Sequence, residues 1–154
     1  MNIQFIVLGQ LILAAALGGV IGFERETHHK EAGVRTHALV AFGSALFTLI
    51  ALHALVQFTS PTMIIDPSRI MSEVVTGIGF IGAGVIIFRN ERVRGLTTAA
   101  GLWVCAAIGM AVATQWYMVA IFGTAFIALL LHVIGPLFTA SESDAVARKT
   151  KSTK

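Results

Sequence analysis

Long apolar runs separated by short polar breaks dominate the amino-acid sequence. A helix needs about 20 mostly apolar residues to cross a bilayer, and each run is close to that length. The pattern predicts five transmembrane helices, near residues 3–23, 37–58, 70–88, 97–113 and 116–138. Only Thr114 and Gln115 divide the last two runs, so a single long bent segment is an alternative there. We therefore expect an all-α fold, a polytopic membrane helix bundle over residues 1–138.

Basic residues predict the orientation of the bundle, because Lys and Arg mark the cytoplasmic side of a membrane protein. They cluster after the first, third and fifth runs, as Arg25, Lys30 and Arg35, then Arg89, Arg92 and Arg94, then Arg148, Lys149, Lys151 and Lys154. The connections on the other side contain only Arg69. We expect five crossings with the N-terminus outside and the C-terminus cytoplasmic. Residues 139–154 are expected to form a disordered basic tail.

A faint internal repeat divides the first four runs into two hairpins. At an offset of 62 residues, small residues recur as Gly22 and Gly84, Gly33 and Gly95, Thr36 and Thr98, Ala38 and Ala100, and Ala45 and Ala107. Each half has an apolar run, a basic connection and a threonine at the start of the next helix. The pattern predicts a parallel repeat of two helical hairpins, with the fifth helix as an addition.

The composition agrees with a membrane protein. The chain is 56% hydrophobic with a mean hydropathy of +0.82, and only 12% of its residues are charged, against roughly 25% in soluble domains. The net charge of +3 is split among short connections, which favours anionic lipid over nucleic acid as a partner. The single cysteine, Cys105, lies in an apolar run, and the chain has no G-x-S-x-G nucleophile motif. We expect no disulfide and no enzymatic activity.

The segment 22–37 gathers much of the ionisable chemistry, with three glutamates and three histidines. Their spacing does not form H-x-x-x-H or H-E-x-x-H, and Mg²⁺ prefers oxygen ligands to imidazole. A solvated loop with ion pairing is therefore favoured over a metal site, and the metal, if any, is left unknown. Glu24 and Arg25 differ from the rest because they adjoin the apolar run and are placed to face the bundle interior.

A second group of charges lies at the start of the third run. Asp66 is placed to cap that helix, with Pro67 at its first position. Glu73 lies about one turn inside the span, where a carboxylate is costly unless paired. Arg69, four residues earlier on the same helical face, is the expected partner, and His53 is placed to join them. Two interpretations stay open, a structural ion pair and an outward-facing polar site.

The third run contains a literal G-x-G-x-x-G within residues 77–84. A dinucleotide fingerprint follows a strand, whereas these glycines lie in a predicted membrane helix. Such glycines let helices approach closely, or expose backbone carbonyls to a polar cavity in a broken helix. The first run has a similar small-residue face, so we expect the first and third helices to pack together. The glycines assigned to packing are Gly18, Gly22, Gly77, Gly79, Gly82 and Gly84.

Taken together, these motifs resemble the MgtC/SapB family of bacterial inner-membrane proteins. The resemblance rests on Gly22-Phe-Glu-Arg-Glu, Ala32-Gly-Val-Arg-Thr-His37, Asp66-Pro-Ser-Arg69, the glycine segment 77–84 and Gly95-Leu-Thr-Thr-Ala-Ala100. It implies an inner-membrane protein tied to growth at low Mg²⁺, to acid or phosphate stress and, in some pathogens, to survival inside macrophages. The functional positions that it implies are Glu24, Arg25, Arg35, Thr36, Asp66 and Arg69.

Two functions follow from the resemblance. Family members have been called Mg²⁺ transporters, yet the best-known member looks like a regulator that acts on the F-type ATP synthase. Longer members continue into a cytoplasmic ACT-like domain, so this chain is similar to the short branch. We expect a homo-oligomeric protein that aids tolerance of low Mg²⁺ by binding other membrane proteins, without a cofactor other than Mg²⁺. The alternative is a transporter or channel for Mg²⁺ or another small ion.

Overall fold

The computed structural model describes residues 3–58, 66–89 and 92–133. Its elements in chain order are α1 (Ile3–Thr27), α2 (Val34–Phe58), α3 (Pro67–Val85), β1 (Ile87–Arg89), β2 (Arg92–Arg94), α4 (Leu96–Ala113) and α5 (Tyr117–Val133). The five helices of this described part pack as a bundle, which confirms the predicted all-α membrane fold. The predicted tail 139–154 and the last residues of the fifth predicted span lie outside the described residues.

Three of the described helices, α1, α2 and α4, are long and apolar enough to cross a membrane. The helix α3 is less apolar because Arg69 and Glu73 lie near its start, and the described part of α5 has 17 residues. Five crossings therefore stay a prediction. The helices also begin a few residues before the second and third predicted spans, at Val34 and Pro67.

Side-chain caps explain these early starts. The Glu26 carboxylate, at the end of α1, accepts a hydrogen bond of 2.8 Å from the Val34 backbone N–H and so begins α2. The Asp66 carboxylate accepts one of 2.9 Å from the Ser68 backbone N–H, with Pro67 in the first turn of α3. Asp66 is thus a helix cap, as its sequence context predicts.

The third predicted span ends too late. The helix stops at Val85, and residues 87–89 pair with residues 92–94 as a short antiparallel hairpin in which Phe88 lies opposite Val93. Gly95 closes this connection with a left-handed backbone conformation (φ 85°), which glycine adopts without strain. The hairpin returns the chain at once into α4, and for this reason α3 and α4 are neighbours.

The fourth and fifth helices are separate. The Trp116 backbone N–H donates to the Ala111 carbonyl over 2.8 Å, and the Gln115 N–H donates to the Val112 carbonyl over 3.0 Å. Gln115 itself has a positive φ of 66°. These bonds satisfy carbonyls at the end of α4 and turn the chain. The single bent segment considered as an alternative is therefore wrong.

Small residues bring α1, α2 and α4 together around a core of buried alanines. Gly18 and Gly22 of α1 lie against α2, where an added Cβ would come within 2.6 Å of the His37 carbonyl oxygen and 2.7 Å of the Gly33 carbonyl oxygen. Gly109 of α4 lies against the backbone of α2 at Ala41. The helix α2 therefore packs closely against both α1 and α4 at these glycines.

The packing prediction for the glycines is partly wrong. Gly18 and Gly22 contact α2 instead of α3, because α2 returns directly along their face of α1. In α3, Gly82 lies against Ala99 of α4. The other three glycines assigned to packing, Gly77, Gly79 and Gly84, face open space, with no atom of another described residue within 4 Å of an added Cβ. Gly22 and Gly84, which the repeat pairs, thus have different surroundings, and the repeat stays a prediction.

Candidate functional site

Arg25 is a buried cation near the end of α1, with only 5% of its surface exposed. Its Nη2 donates a hydrogen bond of 3.2 Å to the Thr98 Oγ1 of α4. Its Nη1 lies 3.7 Å from the Glu24 Oε2, which is an ion pair without a direct hydrogen bond. A buried guanidinium is costly unless charges and acceptors compensate it, so these partners hold α1 against α4.

Thr98 also bonds to the α1–α2 connection. Its hydroxyl is fully buried and donates a hydrogen bond of 2.8 Å to the Glu31 Oε2. We call Glu24, Arg25, Glu31 and Thr98 the Arg25 cluster. The cluster contains one cation and two carboxylates, and it joins three parts of the chain, with Arg25 and Thr98 73 residues apart.

The pKa of the Glu31 carboxyl lies below its usual value of 4.5. The main cause is a hydrogen bond from its own backbone N–H; burial works in the opposite direction, and the Thr98 hydroxyl and the Arg25 and Lys30 charges lower the pKa further. A carboxyl with a lowered folded-state pKa adds stability above its unfolded pKa and loses it as the pH falls through the folded value.

Acidification is therefore expected to remove a stabilising contribution of Glu31. The advantage of the wild type over Glu31→Gln in thermal stability should be present at neutral pH and smaller at about pH 3, below the usual carboxyl pKa of 4.5, because protonation removes the contribution as the pH falls. Thr98→Val should reduce the advantage at neutral pH, since it removes one of the hydrogen bonds. An advantage of equal size at both pH values would show that ionised Glu31 does not contribute.

Glu24 links the cluster to two histidine rings. Its Oε1 lies 3.1 Å from the His28 Nδ1, and the His28 ring packs edge-on against His132 of α5 with centroids 6.2 Å apart. The Glu24 Oε2 and the Arg25 Nε are buried and have no hydrogen-bond partner among the described residues. Two buried polar atoms of the cluster are therefore without a described hydrogen-bond partner. The contacts from Glu24 to His28 and from His28 to His132 connect the cluster to α5.

His37 is a fully buried polar residue in the first turn of α2. Its Nδ1 lies 2.9 Å from the Gly33 carbonyl oxygen, which only accepts, so Nδ1 carries the proton in that bond. The Nε2 has no partner among the described residues and faces α4, where an added Cβ at Gly101 would lie 3.3 Å away. Gly101 thus makes room for the imidazole between α2 and α4.

An apolar groove of about 920 Å³ opens between α2 and α3. Its walls carry large apolar side chains from both helices, including Leu39, Val40, Phe47, Val74, Ile78 and Ile81. Arg35 and Thr36 line it on the first turn of α2, and Glu73 lines it on α3. We call this surface the α2–α3 groove. These three predicted site residues therefore lie in the groove and not in the Arg25 cluster.

The predicted polar site of Asp66, Arg69 and Glu73 is not assembled. The Asp66 carboxylate caps α3, and the Ser68 hydrogen bonds lower the pKa of this carboxyl. Among the described side chains, no cation lies within 4 Å of Glu73, so the expected pair with Arg69 does not form. His53 is exposed and joins neither residue. The seven candidates are thus distributed over the cluster, the groove and the start of α3.

Two polar residues with long-range hydrogen bonds, Glu31 and Gln10, are absent from the predicted site. Glu31 is bonded to Thr98 although the loop pattern assigns it to solvent. Gln10 is buried in α1, and its side-chain amide donates to the carbonyls of Val112 and Ala113 over 3.0 and 3.3 Å. A glutamine within an apolar run is itself a signal for such a bond, because an unsatisfied amide in a membrane is costly. The metal stays unknown, and the described residues contain no group of three potential metal-ligating side chains.

Comparison with known proteins identifies the family. The model of the MgtC family matches residues 11–139, which is most of the chain. The chain belongs to the MgtC family. The "Putative magnesium transporter YhiD" of Escherichia coli K12 is 46% identical over 138 residues, which cover 89% of this chain and 63% of that protein. No solved structure matches the chain.

Two proteins named MgtC are also similar. The protein of Brucella abortus is 41% identical over 135 residues, which cover 88% of this chain and 54% of its own length. The protein of Salmonella typhimurium is 45% identical over 108 residues, which cover 70% of this chain and 43% of its own. The chain therefore spans less than two thirds of the length of these relatives. The family and the three long apolar helices together support a location in a membrane.

Proposed function

We propose that this MgtC-family protein helps the cell to tolerate low Mg²⁺ or related stress by binding and regulating another membrane protein. The observation that carries the proposal is the α2–α3 groove, an apolar surface that opens to the side of the bundle. Apolar grooves of this kind accept helices or other apolar groups, whereas an ion path presents polar groups at membrane depth. The proposed role is binding without catalysis, and the resemblance suggests the F-type ATP synthase as one partner.

The Arg25 cluster supports the same proposal. Its cation is compensated by Glu24 and bonded to Thr98, so its charges hold helices together at one end of the bundle. Groups that fix the relative positions of α1, α4 and the α1–α2 connection give the bundle a defined shape beside the groove. We further propose that this end is cytoplasmic, because the basic residues of the first connection and of the hairpin lie there. A fluorescent reporter that folds only in the cytoplasm, fused to the C-terminus, tests this orientation.

A deletion strain tests the proposed function. Loss of the gene is expected to slow growth at limiting Mg²⁺ and to alter the membrane potential, with both restored by the wild-type chain. The same strain at ample Mg²⁺ is the control. Unchanged growth and membrane potential at limiting Mg²⁺ would contradict the proposal.

A Mg²⁺ transporter or channel is the second candidate. It is favoured by the magnesium in the name of the Escherichia coli relative and by Glu73, a carboxylate within the groove. A pore would need several copies, since five short helices enclose little volume. Liposomes containing the purified chain and a Mg²⁺-sensitive dye distinguish the candidates. Flux that Glu73→Gln abolishes would support transport, and flux equal to that of empty liposomes would contradict it.

A further inference from the structure

The two walls of the α2–α3 groove run in opposite directions. Thr98, near the start of α4, bonds to Arg25 and Glu31, so α4 and α2 begin at the same end of the bundle. The hairpin joins the end of α3 directly to the start of α4. Arg35 and Ile81 therefore mark one end of the groove, and Phe47 marks the other end on α2. From Arg35 to Phe47 the groove is about 18 Å long, at 1.5 Å per helical residue.

Two glycines on opposite walls leave space in the groove. Gly43 of α2 and Gly77 of α3 both line it, and an added Cβ at either position would meet no atom of another residue within 4 Å. Elsewhere in this bundle, glycines such as Gly18 and Gly109 are covered by a neighbouring helix. Positions without a Cβ allow a helix to approach closely in a membrane. The groove thus has exposed glycines like those at the helix contacts of the same chain, but no described helix covers them.

The two charged residues that line the groove, Glu73 and Arg35, indicate which charges a bound helix should carry. Glu73 lies eight residues from Ile81, so its carboxylate is about 12 Å from the Arg35 end along the helix axis. No described cation lies within 4 Å of it, and a carboxylate within the predicted third span is costly unless it is paired or neutral. Arg35, at the other end, is exposed and has no described anion within 4 Å. A bound helix should therefore place a cation beside Glu73 and an anion beside Arg35.

We propose that the α2–α3 groove binds one transmembrane helix of another protein, with a Lys or Arg facing Glu73 and an Asp or Glu about eight residues away facing Arg35. This rests on the proposed function as a binding protein. A lipid acyl chain brings no cation to Glu73. A second copy fits less well, because the Lys and Arg residues of the described helices lie only in their terminal turns. Charge complementarity thus selects a helix of different sequence.

A designed peptide tests the proposal with the full chain in liposomes. The probe is a labelled leucine–alanine transmembrane helix that carries one lysine and one glutamate eight residues apart. Energy transfer to the labelled chain measures binding. Glu73→Lys is expected to weaken binding about tenfold, which is the size of one interhelical polar interaction in a membrane. A peptide with its two charges exchanged should bind the double variant Arg35→Glu, Glu73→Lys and restore the signal, which shows that the double variant is folded.

Filling the groove gives a second measurement. Gly43→Leu should abolish peptide binding, whereas Gly9→Leu, at another glycine that faces open space, should leave it unchanged. Equal binding of an uncharged peptide, retention of labelled phospholipid in place of the peptide, or energy transfer only between copies of the chain would each overturn the proposal. If groove variants lose peptide binding yet restore growth of the deletion strain at limiting Mg²⁺, the proposed groove site fails as the functional site while the function stands.

Discussion

Replacing Arg25 with alanine is expected to destabilise the protein more than any other single charge change. The guanidinium is 5% exposed, donates to Thr98 and lies beside the Glu24 carboxylate, whose side chain is 10% exposed. Removing it leaves Glu24 buried without its cation and leaves the Thr98 hydroxyl with one partner fewer. Breaking a buried pair from one side costs roughly 3–5 kcal/mol, and we expect the lower end because the Arg25–Glu24 pair is 3.7 Å apart and has no direct hydrogen bond.

Unfolding of the purified protein by SDS in detergent micelles, followed by circular dichroism, measures this change. Arg35→Ala is the matched control, because Arg35 is an exposed arginine on α2 with no ion pair among the described side chains. It should change the stability by less than about 0.5 kcal/mol, as is usual at surfaces. Arg25→Met with Glu24→Gln should recover part of the loss, since no buried charge is then unpaired. Equal stabilities of Arg25→Ala and Arg35→Ala would refute the role of the cluster.

Replacing Gly109 with alanine is expected to have the second large effect. An added Cβ would overlap the Ala41 carbonyl oxygen and come within 3.1 Å of the Ala45 nitrogen. Both are backbone atoms, which cannot rotate away, so α2 and α4 must separate. Separation would also strain the hydrogen bond of 2.6 Å from the Ser44 hydroxyl to the Ala106 carbonyl. Overpacking of this kind costs about 1–3 kcal/mol, and we expect the upper end.

Gly9→Ala provides a control, because it is expected to raise the stability that Gly109→Ala lowers. No atom of another residue lies within 4 Å of an added Cβ at Gly9, so alanine there only removes the flexibility of glycine in α1. A change of this type stabilises a helix by up to about 1 kcal/mol. The same SDS titration should thus move the midpoint down for Gly109→Ala and up for Gly9→Ala. A midpoint that rises for both would mean that α2 and α4 are farther apart than described.

The helices could be predicted because each apolar run is a local property of the sequence. The end of the third span could not, because the alternation of Ile87, Phe88 and Val93 with arginines covers only three residues on each side. Periodicity needs more residues than that to separate a strand from a helix end. The small-residue faces were also visible in the sequence. Their partners were not, because a glycine pattern does not say which helix covers it.

The candidate site could be predicted only where residues adjacent in the sequence indicate a buried position. Glu24 and Arg25 adjoin an apolar run, and this placement alone predicted that they face inward. The bond from Thr98 to Glu31 joins residues 67 positions apart, and nothing in either segment points to the other. The expected pair of Arg69 and Glu73 has the right helical spacing, but both side chains are exposed and lie farther apart than an ion pair. Spacing permits such a pair without requiring it.

The bond between Gln10 and α4 bears on how the bundle is made. The carbonyl that accepts from this amide belongs to Val112, 102 residues later in the chain. At about 5–20 residues per second, the ribosome needs roughly 5–20 s to reach it. During that interval the Gln10 amide of α1 lacks its final acceptor. Closure of the bundle through this bond therefore waits until the end of α4 has been synthesised.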